Sequence, residues 1–127
     1  MEMMIDFPGG ERVDANFDGF TVKTDQPPVV GVPSPFDLFL ASIGTCAGIY
    51  VLNFCRQRQL PTADVRIREC IETNPATGMV ETLSLEIQVP PDFPEKYRSS
   101  LIRSAELCKV KKHIEKPPRF EITTRVC

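Results

Sequence analysis

Pro33-Ser34-Pro35-Phe36-Asp37-Leu38-Phe39-Leu40-Ala41-Ser42-Ile43-Gly44-Thr45-Cys46 is the stretch that decides how the rest of this chain is read. Ser34 is a good helix N-cap, Pro35 suits the first helical position, and Asp37 sits three residues after the cap. From Leu38 to Phe54 apolar residues fall nearly all round the helix, which predicts burial on most of its faces. Ala41, Ser42, Gly44, Ala47 and Gly48 are small and permit a close backbone approach. The polar run Arg56-Gln57-Arg58-Gln59, then Leu60-Pro61, ends it. An apolar helix this long in 127 residues points to a central helix, one that a partner subunit could share.

Upstream, Met3 to Phe7 reads as a strand and Pro8-Gly9-Gly10 as a turn. Arg12 to Phe17 and Phe20 to Thr24 flank Asp18-Gly19, a strong hairpin dipeptide, so a three-stranded meander is expected. Asp25 to Ser34, with Pro27, Pro28, Gly31 and Pro33, reads as a loop. Downstream, Asp64 to Thr73 puts Val65, Ile67 and Ile71 on one face and Arg66, Arg68 and Cys70 on the other. After an Asn74 to Gly78 turn, Thr82 to Val89 alternates cleanly, and the two strands should form a hairpin. Glu95 to Leu107 and Lys109 to Lys116 read as helices. After Pro117-Pro118, the alternation of Phe120, Ile122, Thr124 and Val126 reads as a last strand. The order is βββ-α-ββ-α-α-β, an α+β pattern in a single domain over residues 1–127.

Composition narrows the function. With 42% hydrophobic and 25% charged residues the chain is neither disordered nor collagen-like. Its 15 basic and 17 acidic residues give a net charge of −2, which argues against nucleic-acid binding. Residues 101–127 carry 7 basic and 3 acidic side chains, read as a solvated basic face. No apolar run is read as approaching the ~18–20 residues of a membrane span. Met1 to Asp6 lacks the features of a secretion signal, so a soluble cytoplasmic protein is expected.

Five cysteines, an odd number without a secretion signal, argue against a disulfide framework. With no C-x-x-C pair and one histidine, His113, neither a metal nor a cofactor is implied. Cys46 has small neighbours that leave room around its sulfur, but a buried thiol needs a nearby cation to become a thiolate. Cys55, nine residues on, points about 180° away and ~13.5 Å along the helix, so the two cannot pair. Cys108 sits where a second helix would begin, among Lys109, Lys111 and Lys112, and helix amides there would favour a thiolate. Cys70, Cys127 and His113 read as bystanders. Arg12 carries the right group to hold a thiolate, though sequence alone ranks it no higher than Arg66, Arg68 or Arg103. Asp37 reads first as a capping residue.

The Pro33 to Cys46 stretch resembles the central-helix motif of the OsmC/Ohr superfamily. Ala105-Glu106-Leu107-Cys108-Lys109-Val110 is similar to its second-cysteine region, and Gly9-Gly10-Glu11-Arg12 with Asp18-Gly19 also fits. The likeness runs over essentially the whole chain. It implies an intertwined homodimer with the active site at the subunit interface. It also implies a peroxidase of organic hydroperoxides in which Cys46 is the peroxidatic thiol and Cys108 the resolving one. Arg12 and Asp37 would assist, Phe36, Phe39, Ile43 and Tyr50 would form the substrate pocket, and an external thiol or dithiol would be the reductant. In the hydroperoxide-resistance members a Glu follows the helix-opening proline and pairs with a strand arginine. Here Phe36 holds that place and the acid follows as Asp37, an arrangement that looks more like the less characterised short subgroup. The alternative is a non-peroxidase module that binds a small apolar or thiol ligand at the dimer interface.

Overall fold

The fold is seen in a computed structural model that describes residues 1–27 and 30–127; Pro28, part of the expected loop, lies outside the described residues. By their contacts these residues form two compact units, Met1–Ser42 and Ile43–Cys127. In the first, β1 (Met4–Gly9), β2 (Arg12–Phe17) and β3 (Phe20–Thr24) make the expected antiparallel meander. Both turns need backbone that bulky residues avoid: Gly9, Gly10 and Gly19 sit at φ 136°, 59° and 97°. Phe17 and Phe20 stack beside the second turn with ring centroids 4.6 Å apart. Asp14 and Thr24 are the buried polar residues of this unit; the Asp14 carboxylate takes the Arg12 guanidinium, and the Thr24 hydroxyl donates to the Val13 carbonyl.

Helix α1 (Pro35–Gln57) begins where the sequence places it. The Ser34 amide donates to Asp37 Oδ2 at 2.9 Å while the Asp37 amide donates to Ser34 Oγ at 3.1 Å, a reciprocal cap. It closes through Gln59 at φ 56°, with the Leu60 amide donating to the Cys55 carbonyl at 2.8 Å. A left-handed closure of this kind is usual at a helix end, though glycine normally supplies it. Contrary to the sequence expectation, α1 at 23 residues is long and apolar enough, by length and composition, to cross a membrane. Burial on most faces, as expected from the sequence, is not seen within this chain: Ile43, Ala47, Val51, Phe54 and Cys55 form one buried stripe, while Phe36, Phe39 and Ile49 are exposed.

The second unit builds on that helix. Strands β4 (Arg66–Thr73) and β5 (Val80–Gln88) form the expected hairpin, with Glu69 opposite Leu85 and Cys70 opposite Ser84. A 3-10 turn, Glu95–Tyr97, leads into α2 (Arg98–Ala105), and α3 (Lys109–Glu115) follows. The expected Glu95 to Leu107 helix is thus tighter at its start and ends two residues sooner. Val51, Phe54, Cys55, Phe93 and Leu101 form the core, flanked by Val65, Ile67, Ile87, Val89 and Tyr97. Arg58 covers one edge, its guanidinium 3.6 Å from the centre of the Phe54 ring and donating to the Phe54 carbonyl.

One expected element is missing. Among the described residues, 117–127 form no strand, and Phe120, Ile122 and Val126 are 81%, 94% and 99% exposed. Their alternation is right for a strand, but a strand exists only where a neighbour takes up its backbone groups. The α+β class stands and the last β does not.

Leu101, 2% exposed, is the core side chain whose loss is best defined. Leu101→Ala should lower unfolding free energy by about 2–5 kcal/mol in urea titration. The same change at Ile102, 55% exposed, should stay within about 0.5 kcal/mol.

Candidate functional site

The elements of the second unit bring two of the expected site residues together. Cys46 lies mid-way along α1, on the side where Ile43 and Ala47 are buried. Cys108, 2% exposed, is the N-cap of α3: its sulfur accepts the Lys111 amide at 3.3 Å and faces the Ile43 carbonyl at 3.9 Å. Ser104, on α2, ties that element to α1 through its hydroxyl and the Tyr50 carbonyl at 3.4 Å.

The two sulfurs are electrostatically unlike. Burial alone would raise the Cys46 thiol, but the Val110 amide, the Cys108 thiol, and the amide and charge of Lys109 outweigh it and hold Cys46 below the ordinary thiol value. Burial dominates at Cys108 and, with the neighbouring Cys46, pushes it up despite the Lys111 amide. The amides at the start of α3 therefore act as foreseen, but the thiolate they favour is Cys46 rather than Cys108. Cys55, fully buried in the core, is pushed up by burial in spite of Arg58. A low thiol held in hydrogen-bonding reach of a higher one is the arrangement a nucleophile and its resolving partner require.

A groove of about 620 Å³ runs beside Cys108 and does not include Cys46 in its lining; its wall includes Ile43, Leu85, Ile87, Leu101, Ile114 and Cys108 itself. Its rim carries Arg98, Lys111, Glu86 and Glu106. Of the expected substrate-binding residues, Ile43 lines this groove. Tyr50, half-buried, meets α2 through its backbone. Phe36 and Phe39 belong to the first unit, where they stack on each other with centroids 5.6 Å apart.

Arg12 and Asp37 do not meet as a pair. Arg12 is bound by Asp14, two residues along the same strand face, and Asp37 is engaged at the Ser34 cap, which also lowers its pKa. Sequence reading overlooked Asp14 although an i, i+2 pair on a strand was visible. It also overlooked Glu69, an acid between Ile67 and Ile71 on the face that β4 turns to α1. A methyl group on Gly44 would lie 2.5 Å from Glu69 Oε2, so the carboxyl rests against the helix backbone. Its Oε1 is buried without a hydrogen-bond partner, and burial pushes its pKa up. His113 is exposed and meets the Lys109 carbonyl through Nδ1 at 2.7 Å.

An α+β fold with two thiols of opposite character at a helix junction defines a class of thiol-bearing domain. The model of the OsmC-like proteins matches residues 30–123, and the chain belongs to that family. Similar solved structures include an OsmC-like protein from Mycoplasma pneumoniae, 10% identical with TM-score 0.71, covering 91% of this chain and 87% of that one. A protein from Psychrobacter arcticus, named as a candidate osmotic-stress-induced and detoxification-response protein, is 18% identical with TM-score 0.70, covering 87% and 85%. The organic hydroperoxide resistance protein OhrB of Bacillus subtilis is 17% identical with TM-score 0.51, covering 89% and 90%. No curated protein sequence matches the chain.

The asymmetry has a direct readout. Alkylation of Cys46 by iodoacetamide, followed by peptide mass spectrometry, should titrate below the ~8.5 of a free thiol. Cys108→Ala removes a hydrogen-bond donor and should raise that midpoint, whereas Cys108→Ser, which keeps a donor, should raise it less.

Proposed function

We propose that this protein is a thiol-dependent peroxidase that reduces organic hydroperoxides through a two-cysteine cycle in defence against oxidative stress. The observation that carries the reading is the Cys46–Cys108 pair, with the first thiol held low and the second held high. Family membership supports it, as does a likeness to a structure named for organic hydroperoxide resistance.

The chemistry is as follows. The Cys46 thiolate attacks the terminal oxygen of the hydroperoxide; the O–O bond breaks, and the departing alkoxide takes a proton to leave as an alcohol. Cys46 is then a sulfenic acid. Cys108 attacks it, the S–O bond breaks, water leaves, and a disulfide joins the two residues. Two equivalents of an external thiol, or one dithiol, reduce that disulfide by exchange. Ile43 and the apolar wall beside Cys108 favour a substrate with a hydrocarbon body, and Phe36, Phe39 and Tyr50 are proposed to contribute. Arg12 is proposed to assist the thiolate through its guanidinium donors, with Asp14 holding it; Asp37 acts as a cap.

The working form is proposed to be a cytoplasmic homodimer. Support comes from the unpaired 117–127 segment and from the exposed Met4, Ile5 and Phe7 of β1, all apolar surface that a second subunit would cover. A second reading, a module that binds a small apolar ligand without turnover, is favoured by the groove alone.

Mixing the reduced protein with one equivalent of cumene hydroperoxide should remove two free thiols and release one cumyl alcohol. Cys46→Ser should abolish both effects. Cys108→Ser should leave a sulfenic acid that dimedone traps. Unchanged thiols in the wild type would turn the reading toward ligand binding. Sedimentation should give about twice the 14.3 kDa chain mass.

A further inference from the structure

Glu69 has no part in the cycle above, yet its setting is unusual. It occupies the apolar face of β4, opposite Leu85 on β5 and between Ile67 and Ile71. Leu83 and Ile87 flank it across the hairpin, and none of these five side chains carries a charge. Glu81, on the far side of the β-bulge, is engaged by the Asn74 amide, and Arg68 and Glu86 stand opposite each other in register on the other face of the hairpin, where Gln88 donates to Glu86. From α1, the residue against the carboxyl is Gly44: a methyl group there would stand 2.5 Å from Oε2, so any side chain at this position would push the carboxyl aside. The nearest titratable group along the helix is Cys46, two residues on. Oε1 is buried with no partner. Glu69 as a whole is half-buried, but one oxygen of its carboxylate is enclosed without a partner, and burial accordingly favours the neutral form.

What Glu69 touches gives this a consequence. Gly44 shares a peptide plane with Ile43, and the Ile43 carbonyl is the group that the Cys108 sulfur faces at 3.9 Å. Cys108 in turn helps to hold Cys46 low. The carboxyl, the peptide and the two sulfurs therefore form one continuous line of contacts.

We propose that Glu69 is a proton-controlled wedge on the thiol site: protonated, it rests against the backbone at Gly44 and fixes the Ile43–Gly44 peptide; ionised, its unbalanced charge swings toward water and frees that peptide, loosening Cys108. Glu69 is thus a positioning residue that makes the pair sensitive to acidity, an inference that rests on the reading of Cys46 and Cys108 as the reactive pair. The linkage has a definite sign. In the unfolded chain the carboxyl titrates at about 4.3, and in the folded protein it titrates higher. Between those two values the folded state holds more protons, so stability is full below the unfolded value and falls as pH rises through the folded one.

The test uses the reduced 127-residue chain and Glu69→Gln, which keeps the shape and cannot ionise. Melting temperatures of the two should lie in parallel below pH 4. By pH 8 the variant should gain about 3 °C relative to the wild type, as a loss that only the wild type suffers sets in. At pH 7, iodoacetamide should alkylate Cys46 about threefold faster in Glu69→Gln, the change that a half-unit fall in thiol pKa produces. Curves that stay parallel to pH 8 would overturn the wedge, and a growing gap with unchanged alkylation would overturn its link to the thiols. If Glu69→Gln does not fold, carbon-13 NMR of the wild type decides the matter: a Glu69 carboxyl midpoint at the ordinary value, or a raised one that the Ile43 carbonyl does not follow, refutes the proposal, and a raised midpoint shared by the Ile43 carbonyl upholds it. Cys46 inert to iodoacetamide in the wild type at every pH would defeat the thiol reading itself, with the melting and NMR arms still deciding how Glu69 titrates.

Discussion

Helix α1 can be approached closely because Gly44, Ala47 and Gly48 give it no bulk, and the Ile43–Cys127 unit depends on that approach. On one side β4 comes near enough for Glu69 to rest against Gly44 and for Ile67 to reach within 3.8 Å of where a Gly48 methyl group would stand. On another, fully buried Ala47 and the Ile43 carbonyl admit Cys108 and the first turn of α3. A side chain on Gly44 would push the Glu69 carboxyl aside, whereas a methyl group on Gly48 would make ordinary contact with Ile67. The low thiol is thus a product of packing as much as of charge: it exists because small residues let a helix N-terminus come close.

Much of this was legible in local chemistry. The reciprocal Ser34–Asp37 cap, Pro35 in the first turn and the Arg56 to Pro61 stop are all short-range signals, and α1 runs between them as expected. The Asp18-Gly19 turn and the clean alternation of residues 82–89 placed two hairpins for the same reason. What depended on partners distant in sequence was not legible. Phe120, Ile122 and Val126 alternate as a strand should, yet a pattern of side chains cannot supply the neighbouring backbone that makes a strand.

The site divides along the same line. That Cys46 and Cys108 belong together followed from a family likeness, since 61 intervening residues set no distance between them. Which of the two is the stronger acid turned on burial: Cys108 caps α3 as its position suggested, but it is too deeply enclosed to profit. Asp37 was a candidate partner for Arg12, and the cap claims it, leaving Asp14 to take that place. Glu69 was hidden in plain view. An acid between two isoleucines on a strand face contradicts its surroundings, and such contradictions mark functional positions more often than chance.

Cys108 has one more property that follows from its place at the head of α3. A seven-residue helix is too short to persist in water without help, and the sulfur that accepts the Lys111 amide is part of that help. Any covalent change at this sulfur alters the acceptor on which the first turn of α3 relies. The first turn of α3 therefore shares one atom with the thiol site: the sulfur that caps the helix is the same sulfur that faces Ile43.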